Sequence, residues 1–181
     1  LPAKFKGSTG TSWSPFDIWR VGTGANMAWR KEVLIKIGGF DPALGAGTPA
    51  GSCEDIDAFR RALQAGQTIY YQPSALVMHD HPRSMKDLQR MLTRYAITLG
   101  AHGAKATFEE RQWKAMIFLL RDWWWQINWA IRLTFSRDVI AGVKMPPLTI
   151  LSQPIASVWG MLLFFKYRNL VRKGQIKKVT S

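Results

Sequence analysis

The segment GSCEDIDAFRRALQAGQTIYYQPSALVMHDH, from Gly51 to His81, combines the features that decide the fold. Ser52 is a typical helix cap, and the positive end of a helix favours the acidic residues that follow it. Apolar residues then recur with helical spacing on one face, with Arg60 and Arg61 on the other, and Gly66 ends the helix. The segment therefore predicts a helix with an acidic first turn.

Two β-prone runs follow this helix. Gln67 to Tyr71 and Ala75 to Met78 predict short strands, so His79 and His81 come just after the second one. Ligands bind beyond strand ends in open α/β sheets. The acidic turn and the histidines are therefore the first candidate site.

The residues upstream predict a loop, a strand and a short helix. Leu1 to Arg20 is rich in Gly, Ser, Thr and Pro, which indicates a loop. Val21 to Ala28 predicts a buried strand whose glycines permit a close approach of backbone or ligand. Arg30 to Ile37 predicts a short helix, which Gly38 and Gly39 end.

Taken together, these motifs resemble a known family. GTGANMAWRKEVLIKIGGFDPAL (Gly22 to Leu44) and CEDIDAFRRALQAGQTIYYQPSALVMHDHPR (Cys53 to Arg83) resemble the second half of a family 2 glycosyltransferase with a GT-A fold. Such chains carry a G-N-x-A-x-R segment, a G-G-F-D turn, an E-D pair that opens a helix, a G-x-x-I-x-Y-x-P strand pair and a V-x-H ending. Each motif is weak, but five in order are specific.

The resemblance implies roles for individual residues. Asp55 would be the general base that takes a proton from the acceptor hydroxyl in an inverting sugar transfer, and Glu54 would support the site. The donor sugar and the acceptor would contact Gly24, Ala25, Asn26 and Arg83. His79, and less well His81, would complete the coordination of a divalent metal, Mn²⁺ or Mg²⁺, that holds the donor diphosphate.

The family's nucleotide-binding first half, which ends in an acidic D-x-D metal motif, does not precede Gly22. We therefore expect a C-terminal part of a transferase, or one part of a split enzyme, that is inactive and binds nucleotide poorly in isolation. The acidic pair also has a simpler explanation. Ser52-Cys-Glu-Asp55 fits a capping box, in which Asp55 would only hold the helix start.

Charge divides the chain into two regions. Residues 1–82 hold eight basic and seven acidic residues, whereas residues 83–181 hold 17 basic and five acidic ones. This asymmetry predicts a catalytic, acceptor-side region at 1–83 and a basic, membrane-associating region at 84–181. The only cysteine, Cys53, excludes an internal disulfide framework and is expected to be an inert thiol. No nucleic-acid-binding motif accompanies the basic residues.

The second region predicts helices that contact a membrane. Ser84-Met-Lys-Asp87 is a capping box that opens a helix to Gly100, and Thr107 would cap another that reaches about Ser136 with several tryptophans. A helix buried against the catalytic region or a second subunit is the alternative for the tryptophans. Leu148 to Phe165 is apolar but contains Pro154, so we expect a re-entrant or in-plane hairpin, with a single span also possible. The basic tail suits the anionic, cytoplasmic face of the cell membrane.

The sequence thus predicts an α/β fold: the C-terminal half of a GT-A-like domain with a small mixed sheet, followed by long amphipathic helices at a membrane interface. The leading hypothesis is sugar transfer from a nucleotide-sugar donor to a lipid-linked or polysaccharide acceptor. The alternative is a non-catalytic module that binds membranes and recruits a partner. A missing N-terminal half or another subunit is a further expected partner.

Overall fold

The computed structural model describes residues 3–6, 23–51, 53–72, 74–78, 84–135 and 146–173. Helices dominate these ranges, and the strands are short. In chain order the elements are β1 (Ala3–Lys6), a 3-10 turn (Gly24–Asn26), α1 (Lys31–Lys36), α2 (Glu54–Gln64), β2 (Thr68–Tyr71), α3 (Met85–Ala104), a π-helical turn (Lys105–Glu109), α4 (Lys114–Phe135) and α5 (Pro147–Arg172).

The sheet in the described residues consists of β1 and β2. They pair antiparallel, with Ala3 opposite Tyr71. The loop predicted for residues 1–20 therefore contains a strand, because residues 3–6 find a partner in β2. A mixed sheet is not confirmed, since both described strands run antiparallel to each other.

Two of the predicted strands were wrong. Ala75 to Met78 has no regular secondary structure and is exposed, and Met78 is 99% accessible. A strand needs a neighbour for its backbone groups, and none of the described residues supplies one here. In residues 21–28, the described part, 23–28, contains the 3-10 turn and is mostly exposed.

The first helices form as the sequence predicts. Lys31–Lys36 is followed by Gly38 and Gly39, whose φ angles of +78° and +74° explain why glycines stand there. Phe59, on the apolar face of α2, stacks on Trp29 with ring centroids 5.3 Å apart. This contact fixes the segment that follows the 3-10 turn against α2.

Helices α3, α4 and α5 form a three-helix layer. Near the start of both helices, Gln89 of α3 donates a hydrogen bond to Thr149 of α5. Further along, Ala101 and Ala104 of α3 pack in one cluster with Phe164 of α5. These two helices therefore run parallel. α4 runs antiparallel to both, because the end of α4 packs near their starts.

Two glycines set the distance between α3 and α5. A Cβ on Gly100 would lie 1.8 Å from the carbonyl oxygen of Ser157, and a Cβ on Gly160 would lie 1.9 Å from that of Ile97. The two backbones are therefore in direct contact, and a larger residue at either position would force the helices apart.

This packing explains three errors in the predicted helix boundaries. α3 does not end at Gly100, because that glycine serves the crossing with α5 and the helix continues to Ala104. Thr107 does not cap α4, since it lies buried in the π-helical turn that continues α3. The predicted re-entrant hairpin is absent: α5 is one helix through Pro154, which removes only one backbone hydrogen bond.

A shared core joins the front of the chain to the helical layer. Ala43, Leu44 and Cys53 are buried against Ala101, Ala104 and Phe164. The start of α2 is therefore fixed by residues from α3 and α5, and burial raises the pKa of the Cys53 thiol, first by desolvation and then through the charge of Asp57. The expectation of an inert thiol agrees with this environment.

Candidate active site

The first turn of α2 presents its acidic residues in different environments. Cys53 is the N-cap and makes no capping hydrogen bond with its side chain, so Glu54 and Asp55 are the first two helical residues. Asp55 is half-buried. Its Oδ2 accepts a hydrogen bond from the Gly24 amide at 2.6 Å, and its Oδ1 accepts one from the Ile56 amide at 2.7 Å.

The 3-10 turn lies directly against this carboxylate. Gly24, Ala25 and Asn26 are exposed, and the turn begins at the hydrogen bond to Asp55. At its other end, Asn26 Nδ2 donates to the Ala75 carbonyl at 2.7 Å. The structure thus brings together Asp55 and the three upstream residues that the resemblance assigned to substrate contacts.

One carboxylate oxygen of Glu54 is buried without a hydrogen bond to any described residue. Its Oε2 is shielded from solvent and has no hydrogen-bond partner among the residues that the structure describes. An unpaired, buried carboxylate oxygen is unfavourable, so it suits a ligand or a cation better than an empty environment. Glu54 therefore stands beside Asp55 with a free acceptor.

The predicted metal ligands cannot be placed. His79, His81 and Arg83, together with Ser52, lie outside the described residues. Within the described ranges, no group of three His, Cys, Asp or Glu side chains could hold a metal ion. The single free oxygen of Glu54 does not fit a divalent cation by itself, because such ions take about six ligands.

The third acid of α2 belongs to a buried cluster of charges that the sequence analysis missed. Asp57 is fully buried and forms ion pairs with Arg60 at 2.7 Å, Arg61 at 2.8 Å and Lys105 at 2.6 Å. Glu110 pairs with Arg60 at 2.5 Å. We call these residues, together with Asp41, His102 and Arg168, the ionic cluster.

The sequence places Arg60 on the face of α2 opposite its apolar residues, and the structure shows that this side chain is nevertheless 0% exposed. The spacing of Asp57 to Arg60 and Arg61 was the available signal, since residues three and four apart are neighbours on a helix. The other members of the cluster come from the loop before α2, from α3, from the π-helical turn and the residue after it, and from α5. Nothing in the local sequence identifies them.

Electrostatics show that the ionic cluster is structural. Burial alone would raise the pKa of Asp57, but the charges of Lys105 and Arg60 hold it below its ordinary value. Burial, and then the charge of Arg60, lower the pKa of His102 to about 3, so His102 is neutral and its Nε2 accepts a hydrogen bond from Arg60 Nε at 2.9 Å. The carboxylate of Asp57 is therefore used in ion pairs, whereas that of Asp55 has no cationic partner among the described residues.

A cleft of about 320 Å³ opens beside the cluster. Asp41, Arg61 and Lys105 line it together with Glu109, Glu110 and Arg168. Its cations already have acidic partners: Lys105 contacts Asp41 at 2.9 Å, and Arg168 contacts Glu109 at 3.0 Å. The cleft therefore offers no uncompensated charge to a ligand.

Comparisons with known proteins agree with the motif order. Residues 19–98 match the model of a family described as Glycosyltransferase like family 2. Two curated proteins named pre-mycofactocin glycosyltransferase, from the CDC 1551 / Oshkosh and ATCC 25618 / H37Rv strains of Mycobacterium tuberculosis, are each 35% identical to this chain over 63 residues. The match covers 35% of this chain and 12% of each relative. No solved structure matches.

Proposed function

We propose, from the membership of residues 19–98 in glycosyltransferase family 2, that this chain is part of an enzyme that transfers a sugar from a nucleotide-sugar donor to a lipid-linked or polysaccharide acceptor. The observation that carries the proposal is the state of Asp55. Its carboxylate is half-buried at the start of α2, beside the turn at Gly24, and it has no cationic partner among the described residues. It is therefore free to accept a proton.

The proposed reaction is an in-line displacement with inversion at the sugar. Asp55 removes the proton of the acceptor hydroxyl as its oxygen forms a bond to the anomeric carbon. The bond between that carbon and the donor phosphate breaks, and the nucleoside diphosphate leaves with the electron pair. Glu54 supports the site with its free Oε2. The GT-A arrangement of the complete domain is part of the same proposal.

A divalent cation, Mn²⁺ or Mg²⁺, enters the proposal only by resemblance. His79 and His81 would hold it, and when bound it would offset the charge that develops on the departing diphosphate. Arg83 would contact the substrate, also by resemblance. The steps above involve only the residues of the chain.

The direct test is Asp55→Asn in the full-length protein. We expect turnover to fall by about 10² to 10⁴-fold, because the amide cannot accept the proton, while donor binding stays near normal. Release of nucleoside diphosphate from a panel of UDP-sugars and GDP-sugars, with a membrane lipid extract as the acceptor source, measures turnover. Asp87→Asn is the matched control, since it makes the same change in the exposed first turn of α3. Retained turnover in Asp55→Asn would refute the base assignment.

We further propose that the transfer takes place at the cytoplasmic face of the cell membrane, where α4 and α5 attach. Both helices have exposed apolar stripes at helical spacing. On α4, extended by Trp113 just before its start, the stripe comprises Trp113, Ile117, Leu120, Trp124, Ile127 and Ile131; on α5 it comprises Leu148, Leu151, Ile155, Val158, Leu162 and Phe165. Exposed basic residues accompany the stripes and would contact anionic headgroups: Lys114, Arg121, Arg132, Lys166 and Arg172.

Attachment along the surface is favoured over a span. Among the described residues, α5 is the helix that is long and apolar enough to cross a membrane. However, α3 packs alongside α5, and its exposed Lys86, Arg90 and Arg94 would enter the hydrocarbon with it. Each basic residue at the centre of a bilayer costs about 2.5 to 3.5 kcal/mol on insertion scales.

Vesicle binding tests the attachment. We expect the chain to bind vesicles that contain about 30% anionic lipid, which gives them a negative surface potential. High salt should remove much of this binding, because it screens the attraction between charges. Ile155→Glu should weaken binding strongly, whereas Arg90→Gln, which changes net charge equally outside the stripes, should not. Equal loss in both variants would show that net charge alone, and not the apolar stripe, drives binding. This binding without any turnover in the full-length protein would favour the alternative, a membrane-binding module that recruits a partner.

A further inference from the structure

The resemblance assigned Gly24 and Asn26 to substrate contacts, but the polar groups that they turn toward the site are used within the protein. The Gly24 amide is bound to Asp55 Oδ2 at 2.6 Å, and Asn26 Nδ2 is bound to the Ala75 carbonyl at 2.7 Å. Both contacts join segments that are far apart in the chain, since 31 positions separate Gly24 from Asp55 and 49 separate Asn26 from Ala75. The 3-10 turn is therefore a bridge between the start of α2 and the segment at residues 75–78.

We propose that Gly24 is a positioning residue, whose backbone amide fixes the orientation of the Asp55 carboxylate for proton transfer; this rests on the proposed base role of Asp55. A carboxylate oxygen has two lone-pair sites. One site of Oδ2 is taken by Gly24 and one site of Oδ1 by Ile56. The two amides on opposite oxygens stop the carboxylate from rotating, and each oxygen keeps a second site for the proton of the acceptor.

A glycine is needed here for its size. A Cβ at position 24 would lie 3.0 Å from Asp55 Oδ2 and 3.2 Å from Asp55 Cβ. These distances are shorter than ordinary carbon contacts, so the carboxylate would have to move by a few tenths of an ångström. The absence of a side chain thus allows the amide to reach the base.

Asn26 extends this positioning to a second segment. Its bond to Ala75 places the turn against the residues that lead to His79. Among the residues described, Ala75 to Met78 has no strand partner, so this bond is one of its few fixed points. The turn therefore links Asp55 to the described segment at residues 74–78.

The backbone allows an experiment that removes the amide donor of residue 24. Thr23 has φ −137° and ψ 152°, which is the conformation that a residue before proline prefers. Gly24 is the first residue of the 3-10 turn, and proline is accommodated at a first helical position. Gly24→Pro therefore suits the local backbone conformation and removes the donor. Its ring Cδ also takes the place of the amide hydrogen that points at Asp55 Oδ2, so the carboxylate must move away from this position. Gly24→Ala is its matched partner, because it adds a Cβ at the same place and keeps the donor.

We expect Gly24→Ala to lower kcat a few-fold and Gly24→Pro to lower it about 10 to 100-fold further, with the KM for the donor changed less than about threefold. The assay is nucleoside diphosphate release from the UDP-sugar and GDP-sugar panel by the full-length protein. In an Asp55→Asn background, Gly24→Pro should have no further effect, because a residue that acts through Asp55 has nothing left to position. A rise in KM without a loss in kcat would instead show direct contact with the donor.

The outcomes separate this inference from the proposed function. If Asp55→Asn abolishes turnover but the proline and alanine variants are equally active, Gly24 is not the positioning donor and the base role stands. If Gly24→Pro lowers turnover further in the Asp55→Asn background, its effect does not pass through Asp55, and the inference is wrong. Retained turnover in Asp55→Asn overturns the base role itself.

A second measurement covers the case in which Gly24→Pro does not fold. In protein labelled with ¹⁵N-glycine, the Gly24 amide should be protected from hydrogen exchange, and Asp55→Ala should reduce that protection at least tenfold. An unchanged exchange rate at Gly24 in the folded Asp55→Ala variant would show that the hydrogen bond is absent, and the positioning role would fall with it.

Discussion

The pattern Ser-x-x-Asp occurs at the start of both α2 and α3, but its serine is the N-cap only of α3, since the N-cap of α2 is Cys53. The acidic side chains of the two first turns also have different partners. At α3, Ser84 Oγ accepts a hydrogen bond from the Asp87 amide at 3.1 Å, and the contacts of this turn remain local and exposed. At α2, Asp55 binds the Gly24 amide, and Asp57 binds Lys105, which is 48 positions away in the sequence. A local pattern therefore predicts where a helix begins, but distant segments decide what its first-turn acids do.

The largest expected effect comes from removing the buried acid of α2. Asp57→Asn should lower the free energy of unfolding by about 3 to 5 kcal/mol, because Arg60 and Lys105 would stay charged and buried after losing the carboxylate that they share. Asp87→Asn, the same change in the exposed first turn of α3, should cost less than about 1 kcal/mol. Urea unfolding measures both. Similar losses in the two variants would mean that the ionic cluster is not a buried network.

The second prediction uses pH to test the buried ionic cluster around α2, which the exposed first turn of α3 lacks. The unfolded pKa of His102 is about 6.5, and its folded pKa is lowered to about 3. Between these values the unfolded state binds more protons, so stability falls as the pH falls through this window. From pH 6.5 to pH 5, His102 should contribute a loss on the order of 2 kcal/mol.

His102→Gln should flatten this part of the curve, because glutamine can accept the Arg60 hydrogen bond without taking up a proton. The pKa of Asp57 and that of Asp41 are lowered from 3.8, so these two groups act at more acidic pH than the range from 6.5 to 5. Urea unfolding at several pH values makes the comparison. An unchanged slope in His102→Gln would contradict the neutral, buried state of this residue.

Sequence alone predicted the parts of the fold that depend on neighbours in the chain. The start of α3 at Ser84, the glycine stop after α1 and the strand at Thr68–Tyr71 are confirmed. Each depends on capping, left-handed glycine or β-branched and aromatic composition, which act within a few residues.

The parts that sequence missed depend on contacts across the chain. Gly100 looked like a helix stop because nothing nearby reveals that Ser157 of α5 lies against it. The burial of Arg60 was not predicted, because Glu110 and His102, which bind it, come from positions 50 and 42 residues away. At the candidate site, the motif order identified Asp55 and Gly24, but not the hydrogen bond that joins them.

The prediction with the smallest expected effect tests the first turn of α3, whose contacts are local. Ser84→Ala should lower the free energy of unfolding by about 1 kcal/mol, because the Asp87 amide loses its cap acceptor. Ser84→Asn should restore most of the loss, since asparagine is an equally good cap. Turnover should not change in either variant, because the contacts of Ser84 stay within its own turn. Urea unfolding and nucleoside diphosphate release measure the two effects, and a loss of turnover in Ser84→Ala would mean that the first turn of α3, like that of α2, serves a distant segment.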